Sequence, residues 1–214
     1  MAGAVKMKVA PEGIPFIGFF AVATVAVLFF LNPLAALVPF GLGLFMLYFF
    51  RDPERHLPDA KGFISPADGR VISVVPQYER EHLGCNAMRI SIFMSPLNVH
   101  VNRAPCDGEV LSVKHTPGSF KAAYRESASL KNENTAMLLK NGTGNVLVRQ
   151  VAGFVARRTV CRVAPGAELK RGERFGLIKF SSRVDLYLPC DVEVLVRPND
   201  RVKAGETLLA RAKA

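Results

Sequence analysis

No charged residue occurs between residues 14 and 50, and the stretch is apolar nearly throughout. Asn32-Pro33 divides it into runs of 18 and 17 residues, 14–31 and 34–50. Each is close to the length that crosses a hydrocarbon core of about 30 Å as a helix. Asn-Pro is a turn signal, and the residue before a proline is pushed out of helical geometry. The pattern predicts a helical hairpin with both ends on one side, and Pro39 within the second run keeps a shallow, monotopic seating as the alternative.

After residue 50 the pattern changes. Residues 51–62 are polar, hold two prolines and read as a linker between an anchor over 1–50 and a second domain over 63–214. That domain is a succession of short apolar, β-branched runs at 70–75, 88–93, 108–113, 135–139, 146–151, 175–180, 184–188 and 192–196. Strands this short and this dense, punctuated by Gly, Pro, Asn and Asp, predict a mainly β (α+β) fold built as a sandwich or partly open barrel. Helices are expected near 120–129 and 152–160.

Composition narrows the partners. The 214 residues carry a net charge of +10. Beside an apolar anchor, that charge favours an anionic membrane surface. Lys6 and Lys8 precede the first run and Arg51 and Arg55 follow the second, which favours the cytoplasm for both flanks. A secretory signal is a poor fit, because the apolar region is too long and lacks a small-residue cleavage site. No zinc-finger spacing, RNP phrase or lysine block argues for nucleic acid. Cys85, Cys106, Cys161 and Cys190 form no CxxC and have no histidine at ligand spacing, so neither a metal nor a redox pair is expected.

Two phrases echo along the chain. Asp68-Gly69-Arg70-Val71 returns as Asp107-Gly108-Glu109-Val110, and Leu169-Lys170-Arg171-Gly172-Glu173 returns as Val202-Lys203-Ala204-Gly205-Glu206. Both resemble phrases of lipoyl and biotinyl domains, whose fold is a barrel-sandwich hybrid. A carrier of that kind needs a modified lysine at a hairpin tip, and none is found.

The chemistry concentrates in residues 172–189, GERFGLIKFSSRVDLYLP. Two adjacent hydroxyls, Ser181 and Ser182, stand between two strand-like runs, where serine competes for backbone hydrogen bonds. Around them the sequence resembles the phosphatidylserine decarboxylase family, in its short bacterial membrane-associated form, and the resemblance covers nearly the whole chain. That family breaks its own chain before a serine, usually at a Gly-Ser step within a phrase like FGSRVD. Here the phrase is Phe180-Ser181-Ser182-Arg183-Val184-Asp185, with Ser181 where glycine is usual.

The resemblance implies cleavage between Ser181 and Ser182 into a β chain, 1–181, and an α chain, 182–214. Ser182 would become a pyruvoyl group, the covalent cofactor, which forms a Schiff base with the substrate amine. Phosphatidylserine would be converted to phosphatidylethanolamine and carbon dioxide at the inner face of the bacterial cytoplasmic membrane, with anionic lipid as partner and no metal. A homodimer is compatible with this reading. The phrase Ser65-Pro66-Ala67-Asp68-Gly69-Arg70 carries Asp68 as an orienting carboxylate, and the phrase over 93–105 carries His100. Longer relatives have a second histidine where this chain has Arg103. Arginine is permanently protonated, so His100 is left as the base and Arg103 as an anion binder. The phrases at 117–120 and 132–134 resemble substrate-side loops.

Two rival readings belong to other classes. One is a non-enzymatic relative in which Ser181 blocks maturation, and the other is a lipoyl-like membrane adaptor. Neither predicts two fragments, so chain cleavage separates the enzyme from both.

Overall fold

A computed structural model describes residues 8–118, 132–153, 158–180 and 182–213. The chain divides into two compact units, Met1–Glu54 and Arg55–Ala214.

The first unit is a hairpin of α1 (Ile14–Phe30) and α2 (Pro33–Phe49). Asn32 caps α2 by accepting the Ala35 amide at 2.8 Å, so the residue that breaks the first helix also starts the second. Helix α2 continues through Pro39 without interruption. Together with the preceding 3-10 turn, the first helix spans Pro11–Phe30, long and apolar enough to cross a membrane, whereas the second is shorter. Val22, Phe29, Phe30 and Leu34 are exposed, as side chains facing lipid would be. The open end of the hairpin is fastened by two short strands, β1 (Lys8–Val9) and β2 (Arg51–Asp52), which pair antiparallel. Phe16 stacks on Phe50 there, with ring centroids 5.6 Å apart.

The second unit holds three antiparallel sheets. The largest has the order β11-β7-β8-β9-β13-β5-β4-β15. Its strands are β11 (Glu168–Leu169), β7 (Gly108–Thr116), β8 (Asn134–Asn141), β9 (Gly144–Ala152), β13 (Ser182–Leu188), β5 (Cys85–Met94), β4 (Gly69–Glu79) and β15 (Arg201–Val202). The second sheet joins β10 (Arg158–Cys161), β12 (Arg174–Lys179) and β6 (Val101–Arg103); the third joins β14 (Val192–Val194), β16 (Leu208–Ala212) and β3 (Phe63–Ile64). One core unites them. Ile90, Ile92, Val148, Val184 and Leu186 of the large sheet pack with Phe175 and Ile178 of the second and Leu209 and Phe63 of the third.

All eight strands read from the alternation are present. The helix expected near 120–129 lies outside the described residues. That near 152–160 is corrected at its described ends: Ala152 closes β9, and residues 158–160 belong to β10. The β-branched residues Thr159 and Val160 fit the ladder with β12 better than a helix.

The echoed phrases fold alike. Gly69 opens β4 against β15, and Gly108 opens β7 against β11. The Asp68 carboxylate accepts the Ala204 amide, and the Asp107 carboxylate accepts the Arg171 amide, each at 2.8 Å. Both acceptors pin a tight turn whose third residue is a glycine at positive φ, Gly205 (+80°) and Gly172 (+82°). A side chain would be strained at either place. Each opening strand then bulges, β4 after Val71 and β7 after Val110.

Candidate active site

The site forms where the chain changes sheets. Lys179 ends β12, paired with Arg158 in the second sheet. Ser182 begins β13, paired with Met94 on one side and Ala152 on the other in the large sheet. Two residues, 180 and 181, lie between these strands in the sequence. Phe180 has a left-handed φ of 56°, and Ser181 lies outside the described residues.

Ser182 is fully buried, and its hydroxyl donates to the Met94 thioether at 3.5 Å. The hydroxyl is the donor here, so this contact orients it and leaves its oxygen lone pairs unengaged by the sulfur. The Asn102 side-chain amide approaches the same sulfur at 3.9 Å and donates to the Pro66 carbonyl at 3.3 Å. Its oxygen accepts from Gln150 Nε2 at 2.8 Å. The Arg103 amide also donates to Pro66 O, at 3.0 Å. The phrase over 65–70, the phrase over 93–105 and the start of β13 thus meet through Pro66, Asn102 and Met94.

His100 is buried and immediately precedes β6, two residues before Asn102. Its carbonyl accepts the Ile178 amide at 3.3 Å, which sets it opposite the run leading into the corner. A turn over 95–98, in which Asn98 Oδ1 accepts the Ser95 amide and hydroxyl, brings the Asn98 carbonyl to 2.9 Å from His100 Nδ1. A carbonyl partner fixes the proton on Nδ1 and puts the lone pair on Nε2, the atom able to take a proton.

Asp68 lies two residues after Pro66, with its carboxylate turned elsewhere. Arg55 Nη2 donates to both oxygens at 3.0 and 2.9 Å, and the Ala204 amide donates to Oδ1. These are its hydrogen-bond partners among the described residues, and His100 is not one of them. Arg55, read from sequence as a membrane flank, is instead a buried member of this pair and reaches Glu206 at 3.5 Å. Arg103 is buried and donates to the Gly172 carbonyl at 3.0 Å. Gly205 packs so closely that an added Cβ would stand 3.0 Å from Arg103 Cδ and 3.3 Å from Arg55 Cβ. The loop over 132–134 is tied to the strand beside Ser182, because Asn132 Nδ2 donates to Ala152 O at 2.7 Å and the Ala152 amide donates to Glu133 O at 2.9 Å. Of the phrase at 117–120, Ser119 and Phe120 lie outside the described residues.

Met94 and Gln150 are site residues that the sequence did not single out. Gln150 left a signal: in the inward set Val146, Val148, Gln150, Ala152 it is the one strongly polar member, and it is almost wholly buried. Met94 left none, because only the strand register sets it opposite Ser182.

In the middle of the large sheet the other face buries charged pairs beside a small apolar cluster of Ala87, Ala136, Leu138, Leu147 and Tyr187. Arg183 donates to the Asp185 carboxylate at 2.6 and 2.9 Å, and Arg149 pairs with Glu79 at 2.8 Å. Burial pushes the Tyr187 phenol up, reinforced by Asp185 beside it. Desolvation would raise the Glu79 carboxyl, but amide hydrogen bonds from Leu83, His82 and Glu81 with the Arg149 charge bring it below its ordinary value. Burial holds the Cys106 thiol up to about 12. Among the described residues, no group of three or more His, Cys, Asp or Glu stands close enough to hold a metal ion.

A family model described as phosphatidylserine decarboxylase matches residues 42–210. The chain is 43% identical over 204 residues to the phosphatidylserine decarboxylase proenzyme of Syntrophus aciditrophicus, covering 94% of this chain and 96% of that one. It is 46% identical over 205 residues to the proenzyme of Symbiobacterium thermophilum, with 95% of each covered. With that of Chlorobium chlorochromatii the identity is 48% over 169 residues, 78% of this chain and 79% of the other.

Proposed function

The chain belongs to the phosphatidylserine decarboxylase family, and from that premise we infer that it converts phosphatidylserine to phosphatidylethanolamine and carbon dioxide, using a pyruvoyl group that it makes for itself. The observation that carries the site assignment is Ser182, a hydroxyl with no exposure at the first residue of a central strand, directly after the corner.

We propose that the chain breaks between Ser181 and Ser182, giving residues 1–181 and 182–214. The Ser182 oxygen attacks the Ser181 carbonyl carbon, the carbon–nitrogen bond breaks, and the hydroxyl proton passes to the nitrogen, leaving an ester. Removal of the Cα proton of residue 182 expels the Ser181 carboxylate, and water then replaces nitrogen, which leaves as ammonia. The fixed position of the hydroxyl supplies a high effective concentration for the first step. His100 Nε2 is the base we assign, and the Asn102 amide, which shares the Met94 sulfur with the reacting hydroxyl, is the donor we assign. Once formed, the pyruvoyl carbonyl supplies an electron sink for decarboxylation of the bound amine.

Asp68 acts in this reading by holding Arg55 and the turn over 203–206 against Arg103, which we assign to the anionic part of the substrate. The paired Asp-Gly openings and glycine turns support a barrel-sandwich hybrid like that of lipoyl domains. The hairpin associates the enzyme with the membrane, and Lys8 and Arg51 at its fastened end favour the inner face of the cytoplasmic membrane. Phosphatidylserine and anionic lipids are the partners, with a homodimer as the assembly to test by light scattering in detergent.

The test is intact mass with and without hydroxylamine, together with conversion of phosphatidylserine in mixed micelles. Two fragments parted before residue 182, the smaller carrying a carbonyl at its end, support the reading. A single stable chain of 23.4 kDa would overturn it.

A further inference from the structure

We propose that Phe180 is a positioning residue for self-cleavage, its left-handed backbone holding strain beside the scissile bond that is released as that bond opens. The inference rests on the self-cleavage reading above.

Both ends of the corner are fixed. Upstream, Lys179 is paired with Arg158, and the Ile178 amide is bonded to the His100 carbonyl. Downstream, Ser182 is held between Met94 and Ala152. The chain must pass from one sheet to another within two residues, and neither anchor can yield without breaking a ladder. Phe180, the described one of the two, takes a φ of 56°. Among the described residues, one other non-glycine has positive φ, Asn199 at 80°, a residue type that tolerates that region. A bulky aromatic does not, and such outliers persist only where their surroundings over-determine them.

The first chemical step relieves this constraint. In the peptide, one atom, the Ser182 nitrogen, links the Ser181 carbonyl carbon to Cα of residue 182. In the ester, two atoms, Oγ and Cβ, make the same link. The corner gains an atom of slack while both anchors stay in place, and Phe180 can return to an extended conformation. Strain present in the precursor and absent from the ester lowers the barrier between them. Subsequent scission removes the constraint altogether.

The experiment is a series at residue 180 in the full chain, F180A, F180N and F180G, following the appearance of two fragments over time. The melting temperature of each is measured in a Ser182→Ala background that cannot cleave. Cleavage rates should fall in the order Ala, Asn, Gly as the left-handed conformation becomes less costly, with F180G slower than wild type by roughly tenfold. The melting temperature should rise in the same order. Slower cleavage in a more stable precursor is a pairing that lost ring packing cannot produce. If wild type cleaves and F180G matches or exceeds its rate, the proposal fails alone. It also fails alone if F180A is as slow as F180G, which would mean that the ring matters and the backbone does not. An uncleaved wild-type chain overturns the parent reading, and this one with it.

Discussion

Along β13, Ser182, Val184, Leu186 and Leu188 face the main apolar core, while Arg183, Asp185 and Tyr187 face the other way, where buried arginines and carboxylates stand beside a small apolar cluster that includes Tyr187. Every one of these side chains is at most 1% exposed. Equal burial therefore hides opposite chemistry. The apolar face is specified by volume and tolerates exchange among aliphatic side chains. The charged face is specified by register, since each ion needs its partner at a fixed place, on the same strand for Arg183 and Asp185 and across the sheet for Arg149 of β9 and Glu79 of β4. A reactive hydroxyl belongs on the first face, where little competes for it, and a rigid frame on the second.

The largest expected effect breaks the comparison at its one exception, the serine on the apolar face. Ser182→Ala should abolish maturation and leave one chain of 23.4 kDa with no carbonyl-bearing fragment, read by intact mass. Next comes the charged face. Asp185→Ala leaves Arg183 buried without this carboxylate and should cost about 3–5 kcal/mol in denaturant unfolding. The double variant R183M/D185L should recover most of that loss, because it removes the ion together with its partner. If the single and double variants unfold alike, the pair does not specify this face.

A smaller effect is expected at Asn102, the polar link on the apolar side. Asn102→Leu should cost about 0.5–1.5 kcal/mol through the lost hydrogen bonds to Gln150 and Pro66, with Gln150 Nε2 keeping its longer contacts to the Val160 and Leu177 carbonyls, and should slow cleavage as well. Acid should then act through the charged face. The folded Glu79 carboxyl lies below its ordinary value of 4.5, so its stabilising contribution is complete above that value and is lost as the pH falls through the folded one. Glu79→Gln should flatten the acid limb of a melting-temperature profile between neutral pH and the acid range. The smallest effect is in labelling: Cys85 and Cys190 are exposed and should alkylate in the folded protein, while Cys106, buried and held up to about 12, should react only after unfolding.

What could be read from the sequence follows from where each signal resides. Strands such as 146–151 and 184–188 announce themselves by local alternation, and the hairpin by apolar length. The partition into three sheets does not, because β12 and β13 are separated by two residues and read as neighbours in one sheet, whereas their partners lie far along the chain. The same limit governs the site. Ser182 and His100 sit in recognisable phrases, but Arg55 looks like a topogenic charge until its bond to Asp68, thirteen residues on, is seen. Arg158-Thr159-Val160-Cys161 is too short and too polar to proclaim a strand, and it becomes one by pairing with β12.

The central place of β13 also governs how the enzyme can come apart. Strands β13, β15 and β16 lie beyond the proposed cut, yet they pair with β5, β9, β4 and β3, which lie before it. Folding must therefore be complete before the chain is cut, while all strands still share one backbone. After the cut, unfolding changes molecularity: one particle becomes two, and reassembly depends on concentration. A precursor blocked by Ser182→Ala should refold on dilution at any protein concentration, whereas the mature enzyme, once melted, would have to find its own middle strand in solution.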